Sequence, residues 1–300
     1  MTTLEFHPDA EGFLAAAADH LAANPTGSTV VASVAARMQR DGTGGVPVDA
    51  GFASWWLVVR DEAGQVVGAG MRTAPFEPYP LYLLTMPEDA AAELGRVLAD
   101  RGEPVGAVNG ALPAVEVCAI AYAEAVGGTV RQAEQMRLQE VEELVPARAA
   151  SGRLRSAGPE DLDLAHRWFD AFGAAAAAQA GRHDPHPPPI ESRDSLAKRI
   201  AAGEIWFWED PEGVPVHVTG FNPPSFGVAR IGPVYTPDEH RGHGYAAAAV
   251  AEVSARLLAG GSRVCLFTDA ANATSNGVYE RLGYRPVVDM ANLLVDLPEG

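Results

Sequence analysis

The chain has 300 residues, which suffices for two domains of about 100–200 residues each. It is 47% hydrophobic and 20% charged, and its net charge of −17 is spread over both halves, so a basic face for nucleic acid is not expected. An acidic surface keeps a protein in solution, which is the favoured interpretation. An acidic site would also suit a cationic acceptor such as an amine.

Neither a membrane span nor a targeting segment is expected. The sequence does not begin with a basic stretch followed by an apolar one, and no apolar run reaches about 18 residues. The two cysteines, Cys118 and Cys265, lie inside apolar runs without a CxxC or metal-ligand spacing, which indicates buried thiols. We therefore expect a cytoplasmic protein, as a monomer or a homodimer, with no membrane partner.

The first half, residues 1–149, predicts a mixed α/β domain. Asp9 is a good helix N-cap, and Asp61-Glu62-Ala63-Gly64 predicts the turn of a hairpin. The predicted helices are 8–24, 29–39, 88–101 and 112–125, and the predicted strands are 53–60, 65–72, 81–86, 105–108 and 130–144.

The second half, residues 150–300, follows a small, polar and basic stretch at 147–158 that predicts a domain boundary. The prolines of 181–189 exclude regular structure there. The predicted helices are 159–178, 191–202, 246–258 and 273–282, and the predicted strands are 204–208, 214–221, 227–235, 263–268 and 286–297. The similar order of elements in the two halves predicts an internal duplication.

The most informative stretch is 234–246, V-Y-T-P-D-E-H-R-G-H-G-Y-A, which joins a predicted strand to an alanine-rich predicted helix. The first N–H groups of a helix have no internal acceptor, and the helix dipole adds positive potential there. Glycines let the backbone approach an anion closely. The sequence therefore predicts a pyrophosphate cradle, formed by Arg241, Gly242, His243, Gly244, Tyr245 and Ala246.

Two other phosphate motifs are excluded. Residues 242–247 also satisfy G-x-G-x-x-A, with Asp269 at a plausible distance for a ribose contact. However, residues 236–241 separate the strand from Gly242, and only 56 residues follow Gly244, too few for a doubly wound sheet. A Walker loop is excluded because the sequence contains no GK[ST].

A second stretch, 272–284, reads N-A-T-S-N-G-V-Y-E-R-L-G-Y. With R-G-H-G-Y-A it resembles the GCN5-related N-acetyltransferases. The first motif matches that family's R-x-x-G-x-A at Arg241, Gly244 and Ala246. The second matches N-x-x-A-x-x-L-Y-x-x-x-G-F at Asn272, Tyr279 and Gly283, with Ser275, Val278 and Tyr284 as near substitutes. The first half resembles a degenerate copy, as in tandem members, because only Pro87-Glu88 separates strand 81–86 from its helix.

The resemblance implies an α/β (α+β) fold of two such domains, each a mixed sheet with helices on both faces. It also implies acetyl-coenzyme A as co-substrate, with the pyrophosphate on the amides of 241–246 and no metal. The pantetheine arm is expected beside Val234, Tyr235 and Thr236, where Pro233 and Pro237 interrupt strand pairing. Asn272 and Asn276 are further expected partners of the arm; helix capping by Asn272 is an equally good and compatible interpretation.

Tyr279 is the strongest catalytic candidate. Attack of an amine on a thioester expels a thiolate, and a phenol placed at the sulfur can protonate it. The alternative is that Tyr279 only packs in the core, which we expect of Tyr284. His217 is the candidate general base, directly or through water, against the alternative of a hydrogen-bonded histidine without that role. Glu204 and Glu209 are weaker candidates.

Two features of the acceptor side have ordinary explanations. His183, Asp184 and His186 have the spacing of metal ligands, but the prolines that follow indicate a solvent-facing loop over the acceptor. Trp206 and Trp208 alternate with Phe207 and would line the acceptor site or, as we favour, pack in the core.

The expected function is transfer of an acetyl group from acetyl-coenzyme A to the amine of a small molecule by direct attack in a ternary complex. One alternative is an acyl-coenzyme A-binding or regulatory module that keeps the fold without catalysis, against which Tyr279 argues. Another is an enzyme for a specialised amine, such as an aminoglycoside or the precursor of mycothiol, which tandem relatives acetylate.

Overall fold

The computed structural model describes residues 2–41, 52–179 and 191–297. The chain forms two compact units: Met1–Arg137 with Val288–Gly300, and Leu138–Val287. Their bounds differ from the predicted halves, because residues 288–296 continue a strand that pairs with the first unit. No helix in the described ranges has the length and apolar character needed to cross a membrane.

The first unit is a mixed sheet with helices on both faces, as predicted. Its strands are β1 (Thr3–His7), β2 (Trp55–Arg60), β3 (Val66–Arg72), β4 (Leu81–Leu83), β5 (Ala107–Ala111) and β6 (Thr129–Val141), and its helices are α1 (Ala10–Ala23), α2 (Thr29–Asp41), α3 (Glu88–Asp100) and α4 (Ala114–Val126). The strands β1 to β4 are antiparallel neighbours in chain order, and β5 runs parallel to β4.

The continuous apolar run of β2 follows from these two covered faces. Trp55 and Leu57 pack into the core formed with α3 and α4, whereas Trp56 and Val58 pack into the core formed with α1 and α2. A strand covered on both sides loses the polar alternation of a half-exposed strand. Asp9 caps α1 by accepting a hydrogen bond from the Gly12 amide at 2.8 Å, which confirms the predicted helix start.

The second unit repeats this layered arrangement. It contains β7 (Arg153–Ser156), α5 (Leu162–Gln179), α6 (Arg193–Ala201), β8 (Ile205–Glu209), β9 (Pro215–Ser225), β10 (Val228–Tyr235), α7 (Tyr245–Ala259), β11 (Arg263–Asp269), α8 (Ala273–Arg281) and the start of β12 (Tyr284–Asp296). The strand order is β11-β10-β9-β8-β7, with β10 and β11 parallel. Helices α5 and α6 pack on one face of the sheet, and α7 and α8 on the other.

Residues 147–158, predicted as a domain boundary, include the strand β7, which was not predicted. This edge strand reads R-L-R-S and has polar residues where a strand would show apolar alternation. Its arginines are held instead by buried carboxylates: Arg153 contacts Glu209 at 3.0 Å, and Arg155 contacts Glu209 and Asp161, each at 2.5 Å. Strand β1, a short edge strand, was likewise not predicted.

The prediction that both cysteines are buried thiols is confirmed. Among the described residues neither Cys118 nor Cys265 forms a disulfide, both are buried, and burial raises the pKa of the Cys118 thiol to about 12. The Cys118 thiol is thus kept protonated and unreactive at neutral pH.

Gly283 explains the glycine of the second motif. It follows α8 with φ +93°, and a Cβ there would lie 1.9 Å from the backbone oxygen of Glu143. Its carbonyl accepts a hydrogen bond from the Glu142 amide at 3.2 Å. Any side chain at this position would therefore push two backbone segments apart, which core packing does not accommodate.

We predict that Gly283→Ala destabilises the protein more than Gly261→Ala. Both positions have positive φ, but a Cβ on Gly261 meets nothing within 4 Å. The backbone strain common to both costs about 1 kcal/mol, and the clash at Gly283 adds about 1–3 kcal/mol. Urea unfolding of both variants gives the comparison; equal losses of unfolding free energy would show that the Glu143 contact is unimportant.

Candidate functional site

The site begins where β10 and β11 part. They pair from Val228↔Arg263 to Ile231↔Leu266, and beyond Ile231 the strand β10 pairs only with β9. Pro233 lies at this point, and proline cannot donate to a strand ladder. The interruption is the one that the sequence predicted. Residues 232–235 thus have a backbone edge without a neighbouring strand, and Val234, Tyr235 and Thr236 are partly buried beside it.

A tight turn follows this open edge. A 3-10 turn covers Asp238–His240, and Gly242 and Gly244 then take left-handed φ values of 82° and 83° before α7 begins. A Cβ on Gly242 would meet nothing within 4 Å, and one on Gly244 only the Ala150 Cβ at 3.9 Å. The two glycines are therefore required by the backbone conformation, and the space in front of the turn is open.

The backbone N–H groups of 242–247 have no acceptor among the described residues. The first amide at the start of α7 to find one is Ala248, which donates to the Gly244 oxygen at 3.0 Å, and Gly244 provides no side-chain cap. These free N–H groups line the positive end of the helix dipole, which is the usual construction of an anion site. The predicted cradle residues Gly242, His243, Gly244, Tyr245 and Ala246 all lie here.

Arg241 and His243 frame the turn. Arg241 Nε donates to the Thr236 oxygen at 3.1 Å, and its guanidinium contacts Asp238 at 2.6 Å. The exposed His243 ring stacks on Tyr245, with ring centroids 5.4 Å apart. Tyr245 is itself buried with Trp208 and the start of α7. The turn is therefore anchored to the sheet on one side and to the helix on the other.

Tyr279 lies on α8 in the same buried cluster as Ile231, the last residue of β10 that pairs with β11, and Val234 packs against this cluster. Its ring meets Tyr284 edge to face, with centroids 5.9 Å apart. In the part of the chain that the structure describes, its hydroxyl has no hydrogen-bond partner. Burial raises the pKa of Tyr279 well above its usual value, so the phenol stays protonated and is free to donate.

Tyr284 differs from Tyr279 although both rings are buried. Its hydroxyl is 2.7 Å from Ser254 Oγ, which also donates to the Val250 oxygen at 2.6 Å. The hydroxyl is thus committed to a contact inside the protein, and the prediction that Tyr284 belongs to the core is confirmed.

The two asparagines hold the connection from β11 to α8. Asn272 caps α8 by accepting from the Ser275 amide at 3.0 Å, and its amide group donates to Gln179 at 3.1 Å. Asn276 donates to the backbone oxygens of Asp269 and Asn272, each at 2.9 Å. The capping interpretation of Asn272 is confirmed, and a role of either residue toward pantetheine stays a prediction.

His217 lies under the turn rather than in the open edge. It is fully buried, and its ring nitrogens contact the hydroxyls of Thr236 and Thr219 at 2.7 and 2.6 Å. Burial lowers the pKa of His217 to about 3, so its ring is neutral at physiological pH. Thr219 was not singled out from the sequence, although it follows His217 by two residues on β9 and so lies on the same face of that strand.

The weaker base candidates are held in structural contacts. Glu209 lies between Arg153 and Arg155, and Glu204 contacts Arg199 at 3.3 Å. The hydrogen bond from Arg155, opposed by desolvation and supported by Arg153, lowers the pKa of Glu209, which therefore stays ionised.

The aromatic strand β8 supplies core side chains, as favoured. Trp208 is buried against α7 and donates to the Ser151 oxygen at 2.7 Å. Trp206 packs on the same face, with the Arg256 guanidinium 4.8 Å from its ring. The loop residues His183, Asp184 and His186 lie outside the described residues. Within the described ranges, no group of three or more His, Cys, Asp or Glu side chains is placed to hold a metal ion.

In the described part of the first unit, β4 and β5 stay close together at their carboxyl ends. Gly110 of β5 lies so close to β4 that a Cβ would meet the Leu83 oxygen at 2.0 Å. Helix α3 begins after Pro87, which has no N–H, and Glu88 and Asp89 place carboxylates in its first turn. The cavity at these strand ends measures only about 30 Å³. It is lined by His20, Ser28, Leu84, Thr85, Ala111 and Met290, among others.

Comparison with known proteins gives a consistent result. The model of the family described as FR47-like protein matches residues 225–292, which contain both motifs. Among curated proteins, none matches this chain significantly.

Three solved structures share its fold over almost the whole length. A GCN5-related N-acetyltransferase from Sphaerobacter thermophilus superposes with a TM-score of 0.58 at 18% identity, covering 100% of this chain and 97% of that one. A tandem GNAT protein from the clavulanic acid biosynthesis pathway gives 0.55 at 17%, covering 99% and 100%. A GNAT-family acetyltransferase from Colwellia psychrerythraea gives 0.52 at 13%, also covering 99% and 100%.

The structural neighbours establish the fold, and the sequence match covers the parted strands, the amide turn and the Tyr279 helix. Together they show that the chain has the fold of the GCN5-related N-acetyltransferases and that residues 225–292 are similar to FR47-like protein.

Proposed function

We propose that the second unit transfers the acetyl group of acetyl-coenzyme A to the amine of a small molecule. The observation that carries this proposal is the open turn of free amides at 242–247, which segment 236–241 connects to the parted strand β10. A transferred group on a long carrier needs a site for the carrier's anionic end and a separate edge for its arm, and both are present within one unit.

The residues present fit acetyl-coenzyme A. The free amides of 242–247 supply donors for the pyrophosphate, with Arg241 and His243 beside them. The unpaired edge of 232–235 supplies backbone groups for the pantetheine amides, next to Tyr235 and Thr236. Asn272 and Asn276 stand at the connection from β11 to α8, where they shape the far side of the opening.

When bound, acetyl-coenzyme A supplies an acetyl thioester whose acyl carbon accepts the amine. In the proposed reaction Tyr279 donates its hydroxyl proton to the departing sulfur, since that hydroxyl is protonated and has no other partner among the residues that the structure describes. The amine attacks directly in a ternary complex, so no nucleophilic side chain is needed. The base that accepts the amine's proton is not identified; the candidates are His217, a water molecule and a basic group of the acceptor itself.

The non-catalytic alternative has one supporting observation, because His217, Glu204 and Glu209 are all held in internal contacts. A coenzyme A-binding module needs the amide turn but has no use for the hydroxyl of Tyr279. The effect of removing that hydroxyl on kcat therefore distinguishes the two functions.

We predict that Gly244→Val weakens coenzyme A binding at least about 100-fold, because a β-branched residue abandons the left-handed φ and withdraws two or more charge-assisted hydrogen bonds of about 1.5–3 kcal/mol each. Gly213→Val is the matched control, since Gly213 has φ +84° and open space but lies in a hairpin turn. Calorimetry on both folded variants tests the assignment. Unchanged affinity in Gly244→Val would remove the cradle from the proposal.

We predict one coenzyme A bound per chain. In the first unit Pro87 withholds an amide, and Glu88 and Asp89 repel an anion at the start of α3. The cavity of about 30 Å³ beside it accommodates only one or two water molecules. Calorimetric titration gives the stoichiometry, and two equivalent sites per chain would show that the first unit also binds.

We predict that Tyr279→Phe lowers kcat by about 10²–10⁴-fold while coenzyme A affinity and unfolding free energy change little, since a positioned acid contributes about that factor. Because the pKa of Tyr279 is raised, the wild-type rate should not fall as pH approaches about 10, the ordinary tyrosine value. The measurement is steady-state thiol release with an amine acceptor identified by screening.

Tyr284→Phe is the control for the loss of a buried hydroxyl. It removes the contact with Ser254, so it should lower stability and leave kcat nearly unchanged. If Tyr279→Phe also left kcat unchanged, the ring alone would be required and the proposed acid would be wrong. Weaker coenzyme A binding with kcat retained would instead identify an anchoring hydroxyl.

A further inference from the structure

His217 is a buried polar group that needs an explanation. Its two ring nitrogens lie 2.7 Å from Thr236 Oγ1 and 2.6 Å from Thr219 Oγ1. A neutral imidazole has one donor and one acceptor, and a threonine hydroxyl can match either. Both nitrogens are therefore occupied, and the neutral ring is what full burial requires, with its pKa lowered to about 3. A base in direct contact with substrate would need one nitrogen free.

Thr236 is the joint between β10 and the amide turn. Its side chain is held by His217, and its backbone oxygen accepts the hydrogen bond from Arg241 Nε at 3.1 Å. Arg241 also contacts Asp238 at 2.6 Å, inside the same excursion of the chain. The hydrogen bond from Arg241 to Thr236 thus joins the two ends of segment 236–241, and the contact with His217 fixes Thr236 to the sheet.

This joint needs support because the strand has lost its other neighbour. Beyond Ile231 the strand β10 pairs only with β9, and His217 and Thr219 are themselves residues of β9. Two glycines with positive φ follow Arg241, and glycine loses more conformational entropy on ordering than any other residue. A row of amides binds an anion well only when it is ordered beforehand.

We propose that His217 is a positioning residue: it ties Thr236 to β9 and so fixes the turn of free amides at 242–247 that receives a pyrophosphate-bearing acyl carrier. The nature of the carrier rests on the proposed function, whereas the ordering of the turn does not. His217 then contributes to carrier binding and does not exchange a proton with the substrate.

The test uses His217→Phe, Thr236→Val and the double variant. Phenylalanine retains a ring of similar size without hydrogen bonds, and Thr236→Val removes the same contact from the other side. We expect each single variant to weaken coenzyme A affinity by about 10-fold, the usual consequence of an unpaired buried polar group. The double variant should also lose about 10-fold rather than 100-fold, because both changes break one contact.

Three further measurements sharpen the result. His217→Asn retains a donor and an acceptor near the Nδ1 position and should recover affinity to within about 3-fold of wild type. Ser254→Ala removes another buried hydroxyl on the same face and should leave affinity unchanged. In the free protein, hydrogen exchange of segment 236–248 should accelerate in His217→Phe, because the amides of His240, Arg241 and Ala248 are bonded there.

Two outcomes overturn the proposal. The first is unchanged affinity and exchange in Thr236→Val, a half-buried position where the variant retains the shape of the side chain. The second is a 10²-fold fall in kcat for His217→Phe with unchanged coenzyme A affinity, which would make His217 a base. If wild type itself fails to bind coenzyme A, the proposed function is wrong, and the exchange of segment 236–248 still decides whether His217 orders the turn.

Discussion

The site depends on a single interruption of hydrogen bonding between two parallel strands. Up to Ile231↔Leu266 the pair β10 and β11 is an ordinary ladder, and one residue later the ladder stops. A buried backbone that lacks its partner costs free energy, so an open edge inside a sheet persists only when the surroundings maintain it. Here β9 holds one side of β10, while the closed excursion 236–241 secures its end. The unpaired edge of β10 and the free amides that follow it are the groups that we propose bind the carrier.

The first unit shows the same layered fold with the interruption removed. Gly110 and Leu83 bring β5 and β4 into such close approach that no side chain fits between them. Its helix α3 follows a proline, which has no N–H, and carries two carboxylates in its first turn, which disfavour an anion there. Two units with a similar order of elements thus differ at the place where we propose that the second unit binds its carrier. This difference arises from local chemistry and leaves the architecture unchanged.

The fold class and most elements could be predicted from the sequence, because apolar periodicity and caps such as Asp9 act over a few residues. The amide turn was also predictable, since Gly242 and Gly244 indicate a backbone with positive φ angles. By contrast, β7 was missed because its Arg153 and Arg155 are balanced by Glu209, which is distant in sequence. The contact of His217 with Thr236 likewise depends on strand pairing and on a bulge between Ile231 and Val234, which no local pattern encodes.

The charge distribution of the protein affects the proposed carrier and the proposed acceptor differently. The chain carries −17 overall and a single lysine, Lys198, yet its proposed carrier is an anion. Arg241, the arginine of the turn, is already paired with Asp238. The attraction for a pyrophosphate therefore comes mainly from backbone amides and the dipole of α7, which act over a few ångströms. The net negative charge acts over about a Debye length and favours a cationic amine. An acidic protein can thus bind an anionic carrier through short-range contacts with backbone amides, while its long-range negative potential attracts a cationic acceptor.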